Sequence, residues 1–333
     1  MTVASSDASD DRSASDERSQ VMVSPSRPRA ELRYRRPCMT NQSEPERRGV
    51  RAVAFAGEPG AFAEDAVLAA FGDVERVALP GFREVFEAVT AGRAVAGVVP
   101  IENLLTGSIR EVHDLLLEHE LEIVGEVVVP VRLCLAALPG QGIEGIGRVY
   151  SHVQALGQAE AFLRSRPWTT LTTYNTAGAG RLIRDTAEGG AAAVLSPRAA
   201  AVFGLEIVAN DIQGSSDNRT RFIVVARPGS LRPTFEAPGG PPRTSLAFAV
   251  ANEPGTLLAA LRVFADRGLN LSELESRPSR AAAWEYVFFA DLDAGAAEER
   301  TAEALDALRA ASGMVRVLGS YPRAIEPAPE PAG

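Results

Sequence analysis

The sequence predicts an α/β protein in two parts, on three observations. Apolar strand-like runs alternate with helical periodicity from Arg51 to Ala226, a stretch dense in proline and glycine follows at 229–243, and the remainder runs β-α-β-β-α-β. Alternation of strand and helix builds a mostly parallel sheet, or two of them, covered by helices. The β-α-β-β-α-β order is the ferredoxin-like one. At 333 residues the chain has room for two domains, since one takes roughly 100–200 residues.

Each element has its own signal. Residues 1–49 are rich in Ser, Asp, Arg and Pro without apolar periodicity, which predicts a disordered tail. The tail lacks the apolar core of a secretory signal, and its acidic residues argue against an organelle transit peptide, so a cytoplasmic protein is expected. Residues 51–56 form a strand, 57–60 a turn, 62–71 a helix and 93–99 a buried strand. Ile109, Val112, Leu115 and Leu116 recur at helical spacing. Strands follow at 122–129, 148–150, 169–174, 191–195 and 221–226, with helices at 155–164, 177–188 and 197–203. Gly229, Pro233, Pro238, Gly239, Gly240, Pro241 and Pro242 mark 229–243 as a linker. Beyond it are a strand at 244–251, a helix at 255–267, strands at 271–277 and 284–292, a helix at 297–311 and a strand at 315–321. The expected divisions are therefore a tail at 1–49, a first unit at 50–228, the linker, a second unit at 244–323 and a tail at 324–333.

Composition excludes several function classes. A formal net charge of −9 argues against a general nucleic-acid binder. No run approaches the ~18 apolar residues of a membrane span. Cys38 and Cys134 stand apart, and His113, His119 and His152 are scattered, so neither a disulfide framework nor a metal site is indicated. All 34 basic side chains are arginine, as codon bias in a GC-rich genome would produce. Without lysine there is no Schiff-base chemistry, no pyridoxal phosphate attachment and no phosphate-loop lysine. No cofactor fingerprint is present, and none is expected.

Four loops could carry chemistry. Gly57-Glu58-Pro59-Gly60-Ala61-Phe62 opens a helix, where backbone amides favour anions. Pro100-Ile101-Glu102-Asn103 leaves a strand and is followed by Gly107-Ser108; the plain structural reading is a strand exit with a serine cap. Ser151-His152-Val153-Gln154-Ala155-Leu156 begins a helix for which Ser151 is a natural N-cap. Asn218-Arg219-Thr220-Arg221-Phe222 places an amide, a hydroxyl, a guanidinium and an aromatic ring at the mouth of a buried strand, supported by Asn175-Thr176-Ala177-Gly178. Such a cluster can bind a carboxylate, donate a proton and wall off an apolar ring; its bland alternative is a solvated loop.

Together, and in this order, these segments resemble the prephenate dehydratase family, plant-type arogenate dehydratases included, over roughly Arg51 to Pro228. The last unit resembles the ACT domain that follows the catalytic part in that family, at Asn252-Glu253-Pro254-Gly255-Thr256-Leu257 and at Glu275-Ser276-Arg277-Pro278. Three positions depart from the family pattern: Leu104 stands for serine, Val153 for proline and Gly214 for aspartate.

The resemblance implies a bilobal, periplasmic-binding-protein-like catalytic region with its site between two α/β lobes, and a ferredoxin-like ACT domain at the C-terminus. It implies loss of carbon dioxide and water from prephenate to give phenylpyruvate, in phenylalanine biosynthesis. Thr220 would donate the proton, and Arg221 with neighbouring amides would stabilise its charged form. Asn103, Ser151, Gln154, Thr176 and Asn218 would bind the carboxylates and keto group, with Phe222 excluding water. In the ACT domain Asn252, Gly255, Leu257, Leu258, Ser276, Arg277 and Pro278 would hold phenylalanine between subunits of a homodimer or homotetramer. No chorismate mutase segment is expected before residue 51, where the tail is too polar for helices, so a monofunctional enzyme is expected. An arogenate dehydratase, a prephenate decarboxylase and a non-catalytic amino-acid sensor remain alternatives, and Leu104 and Gly214 keep the first two open.

Overall fold

The computed structural model describes residues 52–230, 234–236, 239–278 and 286–325. The expected tail at 1–49, part of the linker, the start of the strand expected at 284 and most of the expected tail at 324–333 lie outside the described residues.

The first sheet is built from β1 (Val53–Ala56), β2 (Arg76–Leu79), β3 (Ala96–Asn103), β4 (Gly107–Ser108), β5 (Glu122–Pro130) and a late strand, β11 (Arg219–Ala226), in the order β2-β1-β3-β11-β5 with β4 on β3. Helices α1 (Phe62–Phe71), α2 (Phe82–Thr90) and α3 (Arg110–Glu118) cover it. Between β5 and β11 the chain builds a second lobe. Its strands β6 (Cys134–Ala137), β7 (Arg148–Ser151), β8 (Thr169–Thr172), β9 (Ala191–Leu195) and β10 (Glu206–Ala209) lie in the order β10-β6-β9-β7-β8. Helices α4 (Val153–Gln158), α5 (Glu160–Arg164), α6 (Thr176–Thr186) and α7 (Pro197–Phe203) complete that lobe. The chain thus crosses between the lobes twice, after β5 and before β11, which leaves a cleft between them.

The sheets are less parallel than the alternation predicts. β1 runs parallel to β2 and β3, and β7 to β8 and β9. β11 is antiparallel to both β3 and β5. A chain that leaves the first lobe along β5 must return in the opposite direction, so β11 enters reversed. The second lobe carries the same signature in β6, antiparallel to β9 and β10.

The last unit comprises β12 (Gly239–Ala249), α8 (Thr256–Ala265), β13 (Leu271–Pro278), β14 (Tyr286–Leu292), α9 (Glu299–Ala311) and β15 (Met314–Ala324). Its antiparallel sheet has the order β13-β14-β12-β15 expected of a ferredoxin-like unit. One face buries Leu246, Phe248 and Leu292 in a common core with Phe264 of α8 and Leu305 and Leu308 of α9. The other face packs Ala247, Phe289, Leu318 and Tyr321 into the same core as Phe86, Val99, Leu115 and Ile223 of the first lobe. The unit is therefore docked on the first sheet.

Several boundaries differ from expectation, among them β3 at Ala96–Asn103 and β11 at Arg219–Ala226, where the sequence predicts strands at 93–99 and 221–226. The described end of the linker, Gly239 to Arg243, is already strand, paired with β15 from Tyr321 to Ala324. Prolines there lack donors, and the register shifts between Gly239 and Pro242. The helix expected at 155–164 is two short ones, broken at Ala159 with φ −94° and ψ 9°. The helix expected from Gly255 starts at Thr256, with Gly255 as its N-cap at φ +89°.

Candidate active site

β3 and β11 place Asn103 directly opposite Thr220 at the cleft end of the first sheet. The Asn103 amide nitrogen donates to Thr220 Oγ1 at 3.0 Å, to Asn218 Oδ1 at 2.9 Å and to the Arg219 carbonyl at 3.0 Å. Its Oδ1 accepts from the Leu105 and Thr106 amides and the Thr106 hydroxyl, each at 3.1 Å. A backbone N–H only donates and a backbone C=O only accepts, so these contacts fix which end of the amide faces Thr220. Asn103, Asn218 and Thr220 are all buried, and Asn218 Nδ2 has no protein acceptor among the described residues. A buried donor without a partner costs about 1–3 kcal/mol, which favours a ligand acceptor at that point.

This geometry has a chemical consequence. Because Thr220 Oγ1 accepts from Asn103, its own hydrogen is left for another acceptor. Once that proton is given away, the alkoxide retains a donor aimed at it.

Arg221 does not join this pair. Alternation along β11 sends its side chain to the opposite face, where it meets Asp291 at 2.8 Å, Glu126 at 3.2 Å and Glu102 at 3.3 Å, and also Glu273. The expected role of Arg221 beside the Thr220 hydroxyl is corrected: the group that touches Thr220 Oγ1 is Asn103. Burial works against the Arg221 charge, but Asp291, Glu273, Tyr321 and Glu126 outweigh it and hold the guanidinium firmly protonated. Phe222 returns to the Thr220 face and is buried with Val98, Val127 and Val224 just beneath the site.

Between the lobes lies a cavity of about 440 Å³. Gly57, Gly60 and Phe62 line it from the first lobe; His152, Asn175 and Thr176 line it from the second. Thr176 is thus on the cavity wall as expected, whereas Asn103, Asn218 and Thr220 form their own cluster and are not among its lining residues. Asn175 caps α6 by accepting from the Gly178 amide at 2.5 Å. Ser151 is corrected. Its hydroxyl is fully buried and donates to the Val194 carbonyl at 2.6 Å, and the N-cap of α4 is His152. Gln154, in the first turn of α4, is exposed but outside the cavity wall. Leu104 is 60% exposed, so the serine position of the family pattern carries a solvent-facing apolar side chain.

Sequence reading missed the clasp across the cleft. Tyr174 donates its hydroxyl to Glu58 at 2.8 Å, and Arg181 pairs with Glu58 at 3.0 Å. Burial and then the Glu58 carboxylate raise the Tyr174 phenol above its usual range. Ser196 donates to the Gly60 carbonyl at 2.8 Å close by. The cue was the Gly-Glu-Pro-Gly loop, whose acid has no other evident use.

The prephenate dehydratase family model matches residues 53–230, both lobes together, and the ACT domain model matches 244–310. The chain belongs to the prephenate dehydratase family. It is 42% identical over 283 residues to arogenate dehydratase/prephenate dehydratase 2, chloroplastic, of Arabidopsis thaliana, covering 81% of this chain and 72% of that one. Among solved structures, prephenate dehydratase in complex with L-Phe from Arthrobacter aurescens aligns with TM-score 0.73 and 34% identity, over 82% of this chain and 90% of that one. GqqA, described as a novel type of quorum quenching acylase, aligns with TM-score 0.74 and 32% identity, over 82% and 98%.

In the ACT domain of this family member, Ala249 and Arg277 both register with Val287, so the loop after β12 and the end of β13 lie at the same end of the sheet. Asn252, Gly255, Leu258, Ser276 and Pro278 are exposed there, and Leu257 is half-buried against the ACT core. A Cβ on Gly255 would meet only open space, yet its φ of +89° is one that L side chains rarely adopt. Arg277 departs from the expected ligand-facing set. Its guanidinium pairs with both oxygens of Asp114 in α3, at 3.0 and 3.1 Å, because position 277 points to the catalytic side of β13.

Proposed function

We propose that the protein converts prephenate to phenylpyruvate, with Thr220 as the proton donor. Loss of the ring carboxylate as carbon dioxide leaves its bonding pair in the ring, the ring hydroxyl departs, and the Thr220 proton makes that hydroxyl water. Aromatisation drives the step, so the protein must supply orientation and one proton. A threonine hydroxyl is a poor acid, and the observation that carries the reading is the Asn103 amide donating to Thr220 Oγ1, which steadies the oxygen after the proton has left. Asn218 and Thr176 are the candidates to bind substrate carboxylate and keto oxygens, a reading supported by the uncommitted Asn218 amide and by Thr176 on the cavity wall. Phenylalanine is the regulator, held at the exposed end of the ACT sheet. β13 is an edge strand there, which suits side-by-side pairing of two ACT domains in a homodimer or a tetramer. Among the described residues no helix is long and apolar enough to cross a membrane, and a cytoplasmic location is proposed.

Arogenate is the alternative substrate on the same machinery. Acyl-amide hydrolysis is less well supported, since it needs a nucleophile beside a base. Ser151 and Ser196 donate to backbone carbonyls, and burial pushes the Cys134 thiol up to about 12. The deciding experiment is product formation by the purified chain from prephenate and from arogenate, with and without phenylalanine. Phenylpyruvate altered by phenylalanine is expected. Turnover of arogenate alone would change the substrate and keep the mechanism; no aromatic product from either would overturn the reading.

A further inference from the structure

The catalytic pair is held from behind by the ACT domain. Along β13, Glu273, Glu275 and Arg277 face the catalytic lobe, whereas Ser276 and Pro278 face outward. Each inward side chain has a partner there. Glu273 bonds Arg221, the residue after Thr220. Glu275 accepts from Ser108 at 3.3 Å, and Ser108 sits in β4 beside Gly107, the residue paired with Asn103. Arg277 grips Asp114 in α3, directly after that hairpin. One strand of the regulatory domain therefore holds both chains of the Asn103–Thr220 pair, and its outward side belongs to the end where phenylalanine is expected.

Charge rather than packing fixes Arg221. A cavity of about 20 Å³ lies beside it, lined also by His113, Glu273, Asp291, Ser245 and Tyr321. Two of the carboxylates on the guanidinium, Glu273 and Asp291, come from the ACT sheet, and a third, Glu126, is shared with Arg243. Asp291 is itself fastened by Ser245 at 2.5 Å, and Ser245 contacts the Tyr321 hydroxyl at 2.7 Å. Glu273 also interacts with Asp291 within the ACT sheet, and across the interface His113 of the catalytic lobe stands 3.7 Å from its other oxygen. Of the carboxylates on Arg221, Glu273 is the one carried by β13, so a shift of β13 reaches Arg221 through it.

We propose that Glu273 is a positioning residue: through Arg221 it sets the strand that carries Thr220, and it transmits displacement of β13 to the catalytic pair. This rests on the dehydratase reading and deepens it. The test compares wild type, Glu273→Gln and Glu273→Asp in the full chain, below the melting temperature of each. Phenylalanine affinity is measured by calorimetry, and kcat, KM and the phenylalanine effect on prephenate or arogenate. Glu273→Gln is expected to lower kcat with KM little changed, to bind phenylalanine as wild type does, and to shrink its effect at least about fivefold, the lower end of ordinary allosteric coupling. Glu273→Asp should recover part of both. Wild-type kcat together with a wild-type phenylalanine effect in Glu273→Gln would overturn the proposal, as would loss of phenylalanine binding, which would put Glu273 in the ligand pocket instead. If wild type turns over neither substrate, the dehydratase reading fails by itself. Hydrogen exchange then decides the positioning role: faster exchange confined to 219–222 and 101–108 in Glu273→Gln supports it, and a uniform rise or no change refutes it.

Discussion

Replacing Asn103 by aspartate reverses one half of a side chain and spares the other. The carboxylate still accepts from the Leu105 and Thr106 amides and the Thr106 hydroxyl, so the turn after β3 is kept. Toward β11, a donor to three acceptors becomes an acceptor facing Thr220 Oγ1, Asn218 Oδ1 and the Arg219 carbonyl. The Thr220 hydroxyl must then donate to the new carboxylate, which diverts the proton that the reaction needs. A hydrogen bond to a charged group contributes about 1.5–3 kcal/mol. At 1.36 kcal/mol per decade, its loss alone slows turnover about 10- to 150-fold. Diversion of the proton adds to this, so Asn103→Asp should be slower than Asn103→Ala, which removes the donor without redirecting the hydroxyl. The assay is phenylpyruvate release, with circular dichroism and phenylalanine binding as controls for folding. Turnover of Asn103→Asp within about threefold of wild type would refute the reasoning, and so would a reversed order of the two variants.

Other outcomes follow from the same geometry. Thr220→Ala should lose about 10²–10⁴ in kcat, the usual worth of a general acid, with an unchanged circular dichroism spectrum; near-normal turnover would remove Thr220 from the mechanism. Arg221→Met leaves Glu273, Asp291 and Glu126 short of a cation and should destabilise the protein by about 3–5 kcal/mol, read from denaturant midpoints. Burial opposes the Glu273 charge, but His113 and Arg221 hold its pKa down at about 2 against an ordinary 4.5. A depressed acid contributes stability above its unfolded pKa and loses it as pH falls through the folded one, so the stability gap between wild type and Glu273→Gln should close between pH 4.5 and 2. Burial, with the Glu273 charge beside it, raises the pKa of Asp291, so Glu273→Gln relaxes Asp291 as well and the gap between the two titrations reports the pair. Glu58→Gln weakens a partly exposed clasp of about 1 kcal/mol, so KM should rise roughly fivefold while kcat stays within about twofold; a kcat effect without a KM effect would place Glu58 elsewhere in the cycle.

Much of this arrangement is legible where punctuation is strong. Helix α7 can be bounded from sequence because Ser196 caps it, Pro197 opens it and Gly204 closes it with φ +65°. Helix α1 is likewise fixed by its glycine loop and by Gly72. β2 escapes notice because Arg76-Val77-Ala78-Leu79 is a short edge strand, exposed at Val77 and Ala78 and without a buried run. β6 is buried at every position and β10 at none, so neither shows the alternation of a half-buried strand. At the site, motif order points to Asn103, Thr220 and Asn218, and the structure brings the three together. Arg221 is misjudged when the strand is started at residue 221, which leaves Thr220 in the loop. With β11 beginning at Arg219, the two-residue period already sends Arg221 away from Thr220. Ser151 fails differently: a serine before a helix looks like a cap, but here it ends β7 and its hydroxyl is taken by Val194.

That two-residue period explains how one strand serves two purposes. Thr220, Phe222 and Val224 share a face, and below Thr220 that face is core. Arg221, Ile223 and Val225 share the other, where Ile223 and Val225 belong to one core with ACT-domain side chains and the ACT domain binds Arg221 by charge. The close approach depends on small residues: a Cβ on Gly319 of β15 would collide with the Ile123 carbonyl of β5. A slip of one residue in β11 would exchange the faces, burying Thr220 against the ACT sheet and turning Arg221 into the Asn103 amide, a donor against a donor. The register that turns Thr220 toward the Asn103 amide is thus the register that turns Arg221 toward the ACT domain, so loss of the Arg221 pairs is expected to disturb the Thr220 hydroxyl as well.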